Sequence, residues 1–193
     1  MHLLAFSSKL YDSFPAGNPL VEDNGMYYLA TDKIKEKIKD HFNCANPIGL
    51  PLEDQDGDII SSHVEKKVFY NELMVAVVTT GVFVGATTLA LLGSTGWYIV
   101  DESYAETTGW GKGEGCGFLD VDNCDFPDEF CNKYNTAFGQ YERLFCNGDN
   151  SAFGLCRIDP FSGACKIINR YSNTNCKSSN YLDEGLLSSP EYL

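Results

Sequence analysis

Residues Ser62 to Val100 read SHVEKKVFYNELMVAVVTTGVFVGATTLALLGSTGWYIV. Polarity changes sharply at Glu72, because no Asp, Glu, Lys or Arg occurs among the 28 residues from Leu73 to Val100. About 20 apolar residues suffice for a helix to span a bilayer, so one reading is a single-pass membrane protein with 73–100 as the span. Gly81, Gly85, Gly93 and Gly96 interrupt the run, and the threonine pairs 79–80 and 87–88 lie beside them. Only the piece from about Val82 to Leu92 reads as an uninterrupted apolar helix, a length typical of a buried core helix. Ahead of the polarity change stand His63 and the run Asn71-Glu72-Leu73-Met74, which invite a second reading as parts of one metal site.

Composition bounds the alternatives. The chain has 193 residues, 44% hydrophobic and 13% aromatic, enough for a packed core in one domain or two small ones. Its net charge of −13 repels phosphate backbones and argues against a nucleic-acid partner. Eight cysteines are present, and all but Cys44 fall between Cys116 and Cys176. No Cys-x-x-Cys pair suggests a zinc ribbon, so the spacing reads as a disulfide framework from an oxidising compartment. The N-terminus has neither the basic region nor the cleavage site of a signal peptide, which suggests the later part of a longer protein.

Working back from Ser62, the segment CANPIGLPLEDQDGDIISS from Cys44 reads as a loop. Its Asp54, Asp56 and Asp58 hint at a calcium loop, although the glycine is misplaced and the closing glutamate is absent. Lys33 to Phe42 is expected to be a helix, with Thr31 or Asp32 as cap and Ile34, Ile38 and Phe42 as its apolar stripe. His41, in its last turn, reads as a solvated residue favoured by the helix dipole. Asp23-Asn24-Gly25 reads as the turn of a hairpin. Leu3, Phe6, Leu10 and Phe14 have helical spacing, ended by Pro15 to Pro19. Beyond Val100 the text becomes rich in Gly, Asp and Cys. We therefore expect an α+β fold with a boundary near Asp101: residues 1–100, a Cys-rich unit over 101–177, and a loose tail over 178–193.

Five stretches occur in a telling order: HLLAFSSKLY (2–11), FNCANPIGLPLEDQ (42–55), SHVEKKVFYNELM (62–74), ALLGSTGWY (90–98) and WGKGEGC (110–116). Together they resemble the leishmanolysin family, cell-surface zinc metalloproteases of the metzincin clan. The resemblance covers most of positions 1 to 177, including the long insert before His63. It implies that 1–100 is the C-terminal part of a metzincin-like catalytic domain.

In that family a zinc helix carries H-E-x-x-H, two histidines on one face with a glutamate as general base. His2 would be the second of those histidines, and His63 the third zinc ligand. Met74 would lie in the methionine turn, Asn71 to Met74, passing beneath the metal. The first histidine and the glutamate would lie upstream of Met1, leaving no catalytic base in this chain and a protein inactive by itself. Ala5 stands where metzincins place a glycine, and Val64 where tryptophan is expected.

The resemblance also implies zinc as cofactor, protein or peptide substrates, and an extracellular or cell-surface setting, with membrane-surface attachment through the full-length protein. Cys44, alone among the first hundred residues, is expected to bridge Cys116 and tether the two regions. A noncatalytic Cys-rich adhesion or binding module is the rival from another class, and it would leave His2 and His63 far apart.

Overall fold

The computed structural model describes residues 1–54, 62–77, 81–132, 145–148 and 151–170. Helices and two antiparallel sheets make an α+β fold. The expected tail at 178–193, and the calcium-loop residues Asp56 and Asp58, lie outside the described residues.

The first sheet begins with a hairpin, β1 (Leu20–Asp23) and β2 (Met26–Leu29). Asn24 and Gly25 both have positive φ, 51° and 85°, as expected of the tight turn that Asn-Gly encodes. A short third strand, β3 (Leu50–Pro51), pairs with β2. Between them runs α1 (Asp32–Phe42), capped by Thr31, whose hydroxyl accepts from the Ile34 amide at 3.3 Å. Asn43 ends the helix in the left-handed region, a common C-terminal device. Ile34, Ile38 and Phe42 are fully buried, so the spacing-of-four stripe is the face that packs.

The N-terminal segment is less regular than its spacing suggests. Residues 2–5 form one turn, closed by the Ala5 amide on the Met1 carbonyl at 3.2 Å, and Tyr11–Ser13 is a single 3₁₀ turn. Leu3 is 95% exposed while Ala5, Phe6 and Tyr11 are buried, so the expected stripe fails at its first member. The break comes at Ser7 and Ser8. The Ser7 amide turns back to the Ala5 carbonyl, and the Ser8 amide reaches the Ser62 hydroxyl.

The uncharged run does not form a span. Its helix, α3 (Ala86–Ser94), has nine residues, and no helix among the described residues is long and apolar enough to cross a membrane. Phe83 and Gly85 instead make parallel bridges to Glu72 and Glu106. Gly85 caps α3, so the helix starts about four residues later than the apolar pattern alone indicates, while Gly81 and Gly96 take positive φ on either side. Glycine is what permits those turns. α3 packs on α1, with the Thr31 and Ser94 hydroxyls 2.8 Å apart.

Beyond Val100, β4 (Phe145–Cys146), β5 (Phe153–Ile158) and β6 (Lys166–Arg170) form the second sheet. Disulfides join Cys44 to Cys116, Cys124 to Cys165, and Cys131 to Cys156. The apolar core continues across position 101, from Phe42 and Phe69 to Trp110, Phe118, Phe130 and Ile167. The stretch WGKGEGC makes this junction: the Gly113 and Gly115 amides donate to the His41 and Phe42 carbonyls at 2.9 and 2.6 Å. These carbonyls lie at the end of α1 and lack partners within the helix.

Lys67 ties the same junction from the other side. It is fully buried on the short helix α2 (Lys66–Phe69), and its ammonium donates to the Phe118 and Asp120 carbonyls. The rings of Phe118, Phe130 and Phe126 surround it at 4.6, 5.1 and 5.6 Å. Burial lowers its pKa to about 8, against the opposing pull of Asp120 and Glu65. The folded chain thus releases this proton near pH 8, whereas the unfolded chain holds it to about 10.5. In that window the unfolded state binds more protons, so this group makes stability rise with pH. Urea unfolding at pH 8 and pH 10 should show a gain in the wild type, relative to Lys67→Met, that vanishes if Lys67 titrates normally.

Candidate metal centre

Two histidines far apart in sequence meet. The rings of His2 and His63 lie 4.8 Å apart between centroids, nearly perpendicular at 88°. The His2 Nδ1 atom is 2.7 Å from the Phe6 carbonyl oxygen. A carbonyl can only accept, so Nδ1 carries the hydrogen and the neutral ring presents Nε2 as its lone pair. Such a backbone contact fixes tautomer and ring orientation in metal-binding histidines. His63 is held through its backbone, its carbonyl accepting from the Glu53 amide at 3.0 Å.

The methionine turn sits directly alongside. The Val64 amide donates to the Met74 carbonyl at 2.9 Å, and Val64 and Val75 form a parallel bridge. Met74 itself is buried, 3% exposed. Tyr70 enters the turn with φ of 52°, a conformation unusual for a bulky residue that persists where packing holds it. Here its ring stacks on Trp110 at 4.3 Å.

Glu72 holds the turn in shape, a role that the sequence reading missed. One carboxylate oxygen accepts from the Met74 amide at 2.6 Å. The other accepts from the Gly85 amide at 3.1 Å and from the Thr88 hydroxyl. The side chain therefore joins the methionine turn to the N-terminus of α3, where a negative charge is favoured. Burial raises its pKa, opposed by the bonds from Thr88, Met74 and Gly85. The available signal was its position as the last charge before the uncharged run.

His41 does not behave as a solvated helix end. It is partly buried, with its Nε2 2.8 Å from the Trp110 carbonyl oxygen, and burial lowers its pKa despite that bond. The reason is the docking of the Gly-rich loop on the end of α1. Ala5, at the position given to glycine in metzincins, is buried, and its φ is not positive.

The leishmanolysin family model matches residues 1–160. The chain belongs to the leishmanolysin family. Among its relatives in that family is the ciliated left-right organizer metallopeptidase of Danio rerio, 31% identical over 188 residues, covering 90% of this chain and 29% of the relative. A leishmanolysin-like peptidase of Drosophila melanogaster is 34% identical over 120 residues, 62% of this chain and 17% of the relative. Leishmanolysin of Leishmania amazonensis is 25% identical over 170 residues, 83% of this chain and 27% of the relative. The chain thus spans less than a third of each of these relatives. The family is one of metallopeptidases, whose members take a metal cofactor.

The histidine pair fits such a metal. Two imidazoles on one zinc at about 2.0–2.1 Å and a near-tetrahedral angle place their ring centres about 5 Å apart, close to the 4.8 Å observed.

Proposed function

We propose that His2 and His63 are two protein ligands of a catalytic zinc, with Met74 as the apolar floor, in a leishmanolysin-type metalloendopeptidase. The contact between those two rings carries the reading. Zinc, when bound, polarises a peptide carbonyl and brings the pKa of its water towards about 7. The chain's own residues orient and support: the Phe6 carbonyl fixes the His2 ring, the Val64–Met74 bond places His63 beside the turn, and Glu72 holds the turn. The Cys44–Cys116 bond ties the first region to the chain beyond Asp101, and the disulfides suit an extracellular or cell-surface setting.

Three protein ligands and a general base complete a catalytic site of this type. The third histidine of the chain, His41, is bonded to Trp110, so the chain supplies two ligands. The contact between His2 and His63 also favours this reading over a Cys-rich adhesion module, which places no demand on them.

Zinc titration of the purified 193-residue chain, followed by X-ray absorption, tests the proposal. Weak binding through two imidazoles is expected, falling at least about tenfold in His2→Ala and in His63→Ala. With two of the three protein ligands in these 193 residues, peptide cleavage is not expected to rise above background. Equal zinc binding by both variants, or chelator-sensitive cleavage by the chain alone, would refute the assignment.

A further inference from the structure

Beyond the histidine pair, a second group of ligating side chains converges a short way along the same backbone. Residues 51–54 and 62–66 run antiparallel. The Leu52–Val64 bridge, the Glu53 amide on the His63 carbonyl and the Glu65 amide on the Pro51 carbonyl, both at 3.0 Å, hold them together. This pairing gathers Glu53, Asp54 and Glu65, with one carboxylate oxygen from each lying within 4.8 Å of the others. Glu53 and Glu65 are buried, 2% and 1% exposed, and Asp54 is exposed.

A cluster of acids on a surface needs no ligand, but Glu65 is not on the surface. Its Oε1 accepts from the Lys67 amide at 3.1 Å, capping α2, whereas its buried Oε2 has no hydrogen-bond partner. A carboxylate oxygen withdrawn from water without a donor is strongly unfavourable and is relieved by a cation or by a proton. Burial and the neighbouring Glu53 raise the Glu65 pKa to about 8, so a cation held here would displace that proton. The two lysines that follow are engaged elsewhere. The Lys66 ammonium pairs with Asp159 at 2.5 Å, and that of Lys67 is bonded to the Phe118 and Asp120 carbonyls.

We propose that Glu53, Asp54 and Glu65 form a calcium site, distinct from the histidine pair, that clamps the strand pair carrying His63. Hard carboxylate oxygens are the ligands that calcium takes. Oxygens on opposite sides of the ion lie up to about 4.6–5.2 Å apart at bond lengths of about 2.3–2.6 Å, which accommodates the observed spread. Two buried carboxylates and one exposed one leave the solvent side of the ion to water. Calcium keeps such water readily because its coordination number is flexible. The Asp54 that hinted at a calcium loop belongs to this site, but its partners are Glu53 and Glu65, which the EF-hand spacing does not select.

Calorimetric titration of the whole chain with calcium chloride, in the presence of a zinc-selective chelator, tests this. One calcium per chain is expected. Affinity should fall at least tenfold in Asp54→Asn and in Glu65→Gln, and the calcium-dependent rise in Tm should be lost in both. Glu65→Gln retains an amide oxygen for the Lys67 cap, and Asp54→Asn lies on the surface, so a folded variant is available in either case. His2→Ala should bind calcium as the wild type does, which separates this site from the zinc reading. No calcium binding at millimolar concentration, or equal affinity in the wild type and both carboxylate variants, would overturn the proposal. An equal response to magnesium would also overturn the assignment to calcium.

Discussion

Replacing Glu72 with alanine is expected to cost about 3–5 kcal/mol of stability and to weaken zinc binding by the histidine pair. The substitution leaves two backbone amides, Met74 and Gly85, without their carboxylate acceptor, and strips the Thr88 hydroxyl of its partner. A buried donor left unsatisfied costs about 1–3 kcal/mol. Thr88 can rotate its hydroxyl toward a backbone carbonyl of its own helix, so its share is the smallest. Some of the loss is offset, because the buried carboxyl carries a desolvation cost that raises its pKa and alanine does not.

Glu72→Gln separates charge from hydrogen bonding. The glutamine oxygen can serve Gly85 and Thr88, but its NH₂ group then faces the Met74 amide, donor against donor. A cost of about 1–3 kcal/mol follows, concentrated at the methionine turn. Urea unfolding ranks the two variants, and zinc titration shows whether the turn still supports His63. An alanine variant as stable as the wild type would show that Glu72 does not hold the turn.

Much of the first region was legible because its signals are local. Asn24-Gly25 specifies its turn through φ, and Thr31 with Ile34, Ile38 and Phe42 specifies a capped amphipathic helix. The same local logic misjudged His41 and Leu3. The exposure of His41 is decided by a loop some 70 residues later that lays Trp110 over it, and no helix-end rule contains that loop. Leu3 shares a helical spacing with Phe6, but the chain leaves the helix at Ser7, so the face implied by the spacing never forms. The apolar run was misleading for a related reason. Hydropathy alone admits a span, whereas a buried carboxylate at Glu72 and glycines at 81, 85 and 96 dictate a turn, bridges and a short helix. At the candidate metal centre, His2, His63 and Met74 could be singled out together only through their order with the other motifs. Glu53 and Glu65 gave no signal until the strand pairing brought them together.

Removing the Cys44–Cys116 disulfide should cost about 4 kcal/mol while leaving the folded arrangement nearly unchanged. The bond joins residues separated by 72 positions, and constraint of the unfolded chain by a loop of that size contributes on the order of 4 kcal/mol. Its surroundings are independently held. The Gly113 and Gly115 amides cap the end of α1, Phe42 stacks with Phe118 at 5.7 Å, and Lys67 reaches the Phe118 carbonyl. The effect of the bond should therefore fall on the unfolded state. The Cys44→Ser, Cys116→Ser double variant should keep the near-ultraviolet circular dichroism of Trp110 and its aromatic neighbours at low temperature. It should melt about 8–16 °C lower, and its denaturant m value should rise because the released chain exposes more surface on unfolding. A loss below about 1 kcal/mol would mean that the unfolded chain stays compact without the bond. A collapsed aromatic spectrum in the folded variant would instead show that the bond positions the Gly-rich loop, and that the noncovalent contacts around it cannot.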